Sequence, residues 1–309
     1  MLEELCERQC GVVARAQALR GGMTLSAIRA RLRSGQWQRV YDGVFAVFSG
    51  PLPRQARLWA VLLRAGPGAV LSHQTAAELA GLAVAQDPVH VTVPASRRVK
   101  RIPGVSLHMS RLTDALRHPT RVPPQTRVEE TVVDLTQSAR DLDEAIGWLA
   151  RACGQRRTTA SRLLEALNAR SRVRWRGELA MALRDVAEGC HSVLEMRYLR
   201  RVERAHGLPR SIRQRVRRRA GGRWYDDVYY ADHQVAVEVD GRAAHPDEHR
   251  WRDMERDNAG VAAGESVLRY GPADVTDRPR GVAAQVATVL ALHGWTGSPR
   301  RCGPGCELT

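Results

Sequence analysis

The stretch "RWYDDVYYADHQVAVEVDG", residues 223–241, sets Asp226, Asp227, Glu238 and Asp240 into two runs that are otherwise aromatic and β-branched. Runs of that composition around a polar turn read as two strands of a hairpin. A two-residue turn on Asp232 and His233 pairs Ala231 with Gln234, and counting outward sets Asp227 opposite Glu238. Val235, Val237 and Val239 then share one face, while Glu238 and Asp240 share the other with Asp227. Asp226 faces away. Like charges opposed in a sheet repel, so this trio needs a cation, a shifted pKa or full exposure to water. Exposure on an edge strand is one reading. A hard divalent cation, Mg²⁺ or Mn²⁺, is the preferred one, since such ions take one to three carboxylates together with waters and a substrate phosphate.

Around this hairpin the order is helix Ser192–His206, strands Ile212–Arg219, Arg223–Tyr230 and Gln234–Asp240, helix Pro246–Ala263, strand Ser266–Tyr270 and helix Gly281–His293. Glu195 has two readings: the acid of a Ser192-x-x-Glu195 capping box, or a first-helix acid aimed at the cation. His245, just outside a helix that starts at Pro246, stands at the rim, where it can meet phosphate or assist proton transfer. His249, Asp253 and Asp257 follow on one helical face. Eleven arginines against Glu195 and Glu203 lie between His191 and Tyr225, a local net of +9. Arg215, Arg217, Arg218 and Arg219 are the expected contacts to a phosphate backbone.

The first fifty residues read as helix Leu2–Cys10, helix Ala14–Leu19, a Gly21-Gly22 break, a third helix from Leu25 and a hairpin turning on Asp42-Gly43. Thr24 caps the third helix, whose Leu25, Ile28 and Leu32 face a core while Arg29, Arg31 and Arg33 point away. Trp37, Arg39 and Tyr41 are expected on the hairpin strand. This is the order of a winged helix-turn-helix, with a basic recognition helix for the major groove. The chain carries 48 basic and 33 acidic residues, a net of +15, which favours a polyanionic partner. Lys100 is its only lysine. In the middle, "PVHVTVP" puts Val89, Val91 and Val93 on one strand face; amphipathic helices supply Val132, Leu135, Leu142, Ile146 and Leu149 as core candidates. His73 and His90 have no partner at ligand spacing and read as structural histidines.

The acidic N-terminus and the lack of a span of about 20 apolar residues predict a cytoplasmic protein that does not enter a membrane. Its six cysteines are expected to be reduced. Cys6 with Cys10 and Cys302 with Cys306 share an x3 spacing open to a four-thiolate zinc site, but ordinary thiols, with "CGPGC" as a turn in a loose tail, are the preferred reading.

Residues 192–279, with "SVLEMRYLRRVERAHGLP", "DDVYY", "VAVEVDG" and "RDMERDNAGVAAGESVLRYGPADVTDRP", resemble the Vsr-like branch of the PD-(D/E)XK nucleases. That resemblance implies a restriction-endonuclease-like αβββαβ core, Glu195, Asp227, Glu238 and Asp240 as active-site acids, and His245 and Asp257 as supporting residues. The lysine usual two residues after the second acid is replaced by Asp240. Residues 9 to about 165, with "QCGVVARAQAL", "GQWQRVYDGVFAV", "LSHQTAAELAGL", "PVHVTVP" and "PQTRVEETVVDL", resemble AbiEi-type antitoxins, which implies a winged helix binding operon DNA and a cognate toxin as a further partner. The expected architecture is multidomain α+β: a winged helix at 1–50, a mixed middle domain at 51–185, an α/β endonuclease-like domain at 186–296 and a Cys/Gly/Pro tail at 297–309. The expected function is binding of double-stranded DNA with metal-dependent phosphodiester hydrolysis. The alternative is a non-catalytic regulator or antitoxin of a type IV toxin–antitoxin system.

Overall fold

The structure, a computed structural model, describes residues 2–219, 222–239, 264–306 and 308; side chains 217–219 and 222–224 lie outside that description. The protein is a mixed α/β chain that divides by contacts into two compact units, Met1–Ala139 with Asn168–Arg170, and Arg140–Leu167 with Ser171–Thr309. The division falls within the segment expected as a middle domain.

The first unit begins with α1 (Leu2–Arg8), β1 (Val12–Ala14), α2 (Arg15–Arg20), α3 (Leu25–Arg33), β2 (Gln38–Tyr41) and β3 (Val44–Ala46). The strands form a sheet in the order β1-β3-β2. Strand β1 was not expected; Val12 and Val13 are fully buried because they pair with Ala46 and Phe45 in the centre of this small sheet. The Thr24 hydroxyl accepts from Ala27 N at 3.1 Å, and so caps α3. Ile28 of α3 is buried and Leu32 packs beside it, but Leu25 is 49% exposed, contrary to expectation. Trp37 is a second correction. It precedes β2 and is buried against Val13, Ala18, Ile28 and Phe45, with Arg31 over its ring.

Helix α4 (Arg54–Ala65) ties this sheet to the next. Ala56 and Ala60, four residues apart and on one stripe, meet Val12 and Val44. Leu58, Val61, Leu62 and Ala65 on the other side pack with Leu71, Val89, Val91 and Val93. Those residues belong to β4 (Val70–Leu71) and β5 (Val89–Pro94), which with β6 (Val105–Ser110) make a sheet in the order β4-β5-β6. The valines of β5 are buried as expected. Helices α5 (His73–Leu79), α6 (Thr113–Leu116) and α7 (Val128–Ser138) complete the unit, with Val132 and Leu135 in its core.

The remaining helices before the third sheet are α8 (Leu142–Gly154), α9 (Ala160–Ala169), α10 (Arg176–Ala187) and α11 (Val193–Tyr198), the last running on through a π-helical turn, Leu199–Arg204. Ile146 and Leu149 are buried while Leu142 is only half-buried. Strands β7 (Ile212–Arg219), β8 (Gly222–Tyr230), β9 (Val235–Val239) and β10 (Ser266–Tyr270) form a sheet in the order β10-β9-β8-β7, antiparallel except for parallel β9 and β10. Helices α12 (Pro272–Asp277) and α13 (Pro279–Leu292) follow. Val235, Val237 and Val239 pack with Val282, Val286 and Leu290 of α13 and with Tyr198 and Val202. The buried hydroxyls of Tyr198 and Tyr230 satisfy one another at 3.0 Å. Among the described residues, no helix is long and apolar enough to cross a membrane.

Candidate functional site

The hairpin register is the one counted from the turn: Tyr230 pairs with Val235, Tyr229 with Ala236 and Val228 with Val237, so Asp227 and Glu238 are next along the ladder. The turn itself is a 3₁₀ segment, Ala231–His233, closed by Gln234 in the left-handed region. Beyond Val228 the strands part, and Asp227 Oδ2 accepts from Val239 N at 3.0 Å. Glu238 ion-pairs instead with Arg269, its register partner on β10, at 3.2 Å. Parallel β10 therefore supplies the cation that pairs with Glu238.

Gln214, in the left-handed region at φ 49°, joins the acids. Its Nε2 donates to Asp227 Oδ1 and to Glu195 Oε2, each at 3.2 Å. Glu195 Oε2 also accepts from His191 N at 2.9 Å, while Glu195 N donates to Ser192 Oγ. The Glu195 carboxylate thus accepts from His191 N at the helix start and shares the Gln214 amide with Asp227. Burial, and then the Asp227 charge, raise its pKa, against the opposing pull of its hydrogen-bond donors. The His191 imidazole is lowered chiefly by burial, with Asp227 pulling the other way. His191 also lines a depression with Arg156, Arg157, Arg162, Thr158 and Thr159, whose three arginines are exposed. Sequence reading missed Gln214, His191 and these arginines; the Gln sits at an unremarkable strand position and the arginines lie in a different helical segment. Asp240 and His245, together with His249, Asp253, Asp257 and the expected helix Pro246–Ala263, lie outside the described residues.

The arginine segment differs most from expectation. Arg213 is buried against Glu203 at 2.7 Å, and Arg200 and Arg204 both bond Asp185, at 2.6 and 2.9 Å. Arg204 also reaches Glu188, and Arg197 pairs with Asp143. Arg215 lies over the Tyr229 ring, 3.1 Å from Glu265 and 3.8 Å from Asp226. Asp226 is only 1% exposed, buried beside that arginine rather than turned to solvent. The local count of +9 omitted acids from elsewhere in the chain, and those acids draw the arginines inward. Arg217, Arg218 and Arg219 continue β7 opposite Trp224, Arg223 and Gly222. Arg29, Arg31, Arg33 and Arg39 in the first unit are exposed.

A second polar cluster lies in the first unit. His73 at the start of α5, His90 on β5 and His108 on β6 bring one ring nitrogen each within 4.8 Å of the others, which corrects the reading of His73 and His90 as isolated. His90 Nδ1 and His108 Nε2 are 3.0 Å apart, and the His73 and His108 rings stack at 3.6 Å. Parallel pairing of β5 with β6 makes this approach, and no sequence spacing reports it. Burial holds His73 at about 3 and His108 at about 4, so both are neutral at physiological pH. The 3.9 Å approach of His73 Nδ1 to Asp134 is accordingly not a charged pair. Asp134, itself raised to about 6 by burial, is held by Arg170 at 3.0 Å. Three neutral imidazoles are donors for a borderline transition metal, but rings stacked within 12–24° of parallel direct their in-plane lone pairs alongside one another rather than to one centre.

No protein-family model matches the sequence, and no curated protein matches it.

Proposed function

We propose that the chain binds double-stranded DNA and hydrolyses phosphodiesters at Asp227, Glu238 and Glu195, with Mg²⁺ or Mn²⁺ held by Asp227 and Glu238; Asp240, the third acid expected there, lies outside the described residues. One observation carries this reading: a single Gln214 amide ties Glu195 to Asp227 at the point where β8 and β9 part, with Glu238 one register step away. The donor set is all oxygen, which fits a hard divalent cation. Lewis-acid stabilisation of a phosphoryl oxygen is the chemistry such a cation supplies when bound. Glu195, its pKa raised by burial and by the Asp227 charge, is a candidate to hold or accept a proton. Gln214 and Val239 N fix the Asp227 carboxylate. Exposed Arg156, Arg157 and Arg162 offer a phosphate seat beside His191. The order α1, β1, α2, α3, β2, β3, with a capped α3 carrying exposed arginines, supports a winged helix-turn-helix that presents α3 to the major groove. The β7–β10 sheet with its parallel edge pair supports a PD-(D/E)XK-like core.

A second reading, a DNA-binding regulator without hydrolysis, draws support from the Glu238–Arg269 ion pair, which competes with a cation for Glu238, and from Asp240 in the place of a lysine. Supercoiled plasmid incubated with the protein and Mg²⁺ or Mn²⁺ separates the two. Nicking by the wild type, lost in Asp227→Ala and Glu238→Ala, is the expected result. A wild type that binds but never cuts, or an Asp227→Ala variant that cuts equally, leaves the regulator.

A further inference from the structure

The C-terminal tail is anchored, and it ends in a donor set aimed at a buried histidine. Arg300 N donates to His206 O at 2.8 Å and Arg300 Nη2 to Arg204 O at 2.9 Å. Arg280 bonds the carbonyl of Gly305, and Trp295 and Leu308 pack on the core of the sheet. These contacts correct the expectation of a loose tail, and they lay "CGPGC" beside the end of the π-helical turn. Within it, Cys306 N donates to Gly303 O at 3.0 Å, a tight turn that folds Cys302 and Cys306 toward each other.

His206 is fully buried. Its Nδ1 stands 3.1 Å from the carbonyl of Val202, which can only accept, so the proton is on Nδ1 and Nε2 presents a bare lone pair. That Nε2 is buried and has no hydrogen-bond partner. A buried acceptor without a donor is costly, so a native structure keeps one for a reason. One ring nitrogen of His206 and the sulfurs of Cys302 and Cys306 lie within 4.8 Å of one another, and Nε2 is the nitrogen that the Val202 carbonyl leaves free. A histidine that donates its far ring nitrogen to a main-chain carbonyl while its near nitrogen points at two thiols has the orientation that metal-ligating histidines take. Main-chain amides of Cys302 and Leu308 are directed at the Cys306 sulfur, as outer-shell donors are at ligating thiolates.

We propose that His206 Nε2, Cys302 Sγ and Cys306 Sγ bind a Zn²⁺ ion, with the fourth tetrahedral position taken by water or an exogenous ligand. Two sulfurs and one imidazole suit a soft-to-borderline ion, and three protein ligands with an open position are a known zinc arrangement. Binding releases the protons of both thiols and leaves the imidazole neutral. Cys6 and Cys10, the other x3 pair, take no part in any three-ligand group among the described residues. The ion fastens the tail to the helix that carries Glu195 and Glu203, so it acts at a place distinct from the acids of the proposed nuclease site.

The test uses the full chain, stripped with chelator and titrated with Zn²⁺ or Co²⁺. Expected are one tightly held zinc per chain and, with Co²⁺, an intense thiolate-to-metal band in the near ultraviolet, which carboxylate or imidazole ligands alone do not give. Loss of an outer-shell partner alone costs about 10–100-fold, so Cys302→Ser, which removes a ligand at an exposed position, should weaken binding by at least that much, and Cys302→Ser/Cys306→Ser should abolish the band. Zinc should also shield both thiols from alkylation. Absence of the thiolate band in the folded wild type overturns the proposal. So does metal kept by the double cysteine variant and lost from His108→Ala, which places it at the histidine cluster.

Discussion

His73, His90 and His108 are three weak bases in a space that favours none of them charged. Burial comes first for each, and for His73 and His108 the neighbouring imidazoles add to it. The unfolded chain takes up protons below about pH 6.5, whereas folded His73 and His108 refuse them until about 3 and 4. Stability from these groups is therefore complete above about 6.5 and is lost as pH falls through that value. Asp134 acts in the opposite sense, because the folded state keeps its proton up to about 6. Two depressed imidazoles outweigh one raised carboxyl, so the urea midpoint should drop between pH 7 and pH 5. His108→Gln should flatten the drop, and an unchanged slope would show that these rings titrate as they do in the unfolded chain.

Helix α3 depends on Thr24 for its start and on Ile28 and Trp37 for its seat, which leaves Arg29, Arg31 and Arg33 in water. An exposed basic helix on a three-stranded sheet gives a specific expectation for DNA binding. Arg29→Ala/Arg33→Ala should weaken binding and reduce the slope of log affinity against log salt by about 0.9 for each phosphate contact removed. Fluorescence anisotropy over a range of salt checks it, and an unchanged slope would show that α3 makes no phosphate contact. The β8–β9 hairpin is the element most fully legible in advance. Its valines alternate with Ala236 and Glu238, and its turn fixes the register, both of which are local properties. The acids above it were legible only in part. Pairing with Gln214 and with Arg269 depends on β7 and β10, which lie 13 and 31 positions from Asp227 and Glu238 in the chain.

For the whole molecule, the two-faced helix α4 decides where the chain can be cut. Ala56 and Ala60 cover Val12 and Val44, while Leu58 and Val61 belong to the core of β4 and β5. The first fifty residues consequently share their core with the residues that follow. Circular dichroism should show cooperative thermal unfolding for residues 1–139 and none for residues 1–50, which lack the α4 side of that core. Cooperative melting of 1–50 alone would mean that α4 is dispensable to it. For the same reason, substitutions on α3 are a cleaner probe of DNA binding than deletion of the N-terminus.

Local rules were enough for what is local. The sequence by itself determined the mixed α/β character, the cap at Thr24, the turn at Asp42-Gly43, the buried face of β5 and the register of Tyr229 with Ala236 and Val228 with Val237, because hydrogen-bonding and side-chain periods are set by neighbours in the chain. Tertiary structure alone decided which charges are compensated and which donors converge. Arg200, Arg204 and Arg213 belong to a locally basic run that Asp185 and Glu203 hold in place, and the tail sets two thiols near His206. Coulombic pairing and ligand geometry act through a few ångströms of space, and the folded path of the chain, rather than its order, sets those distances.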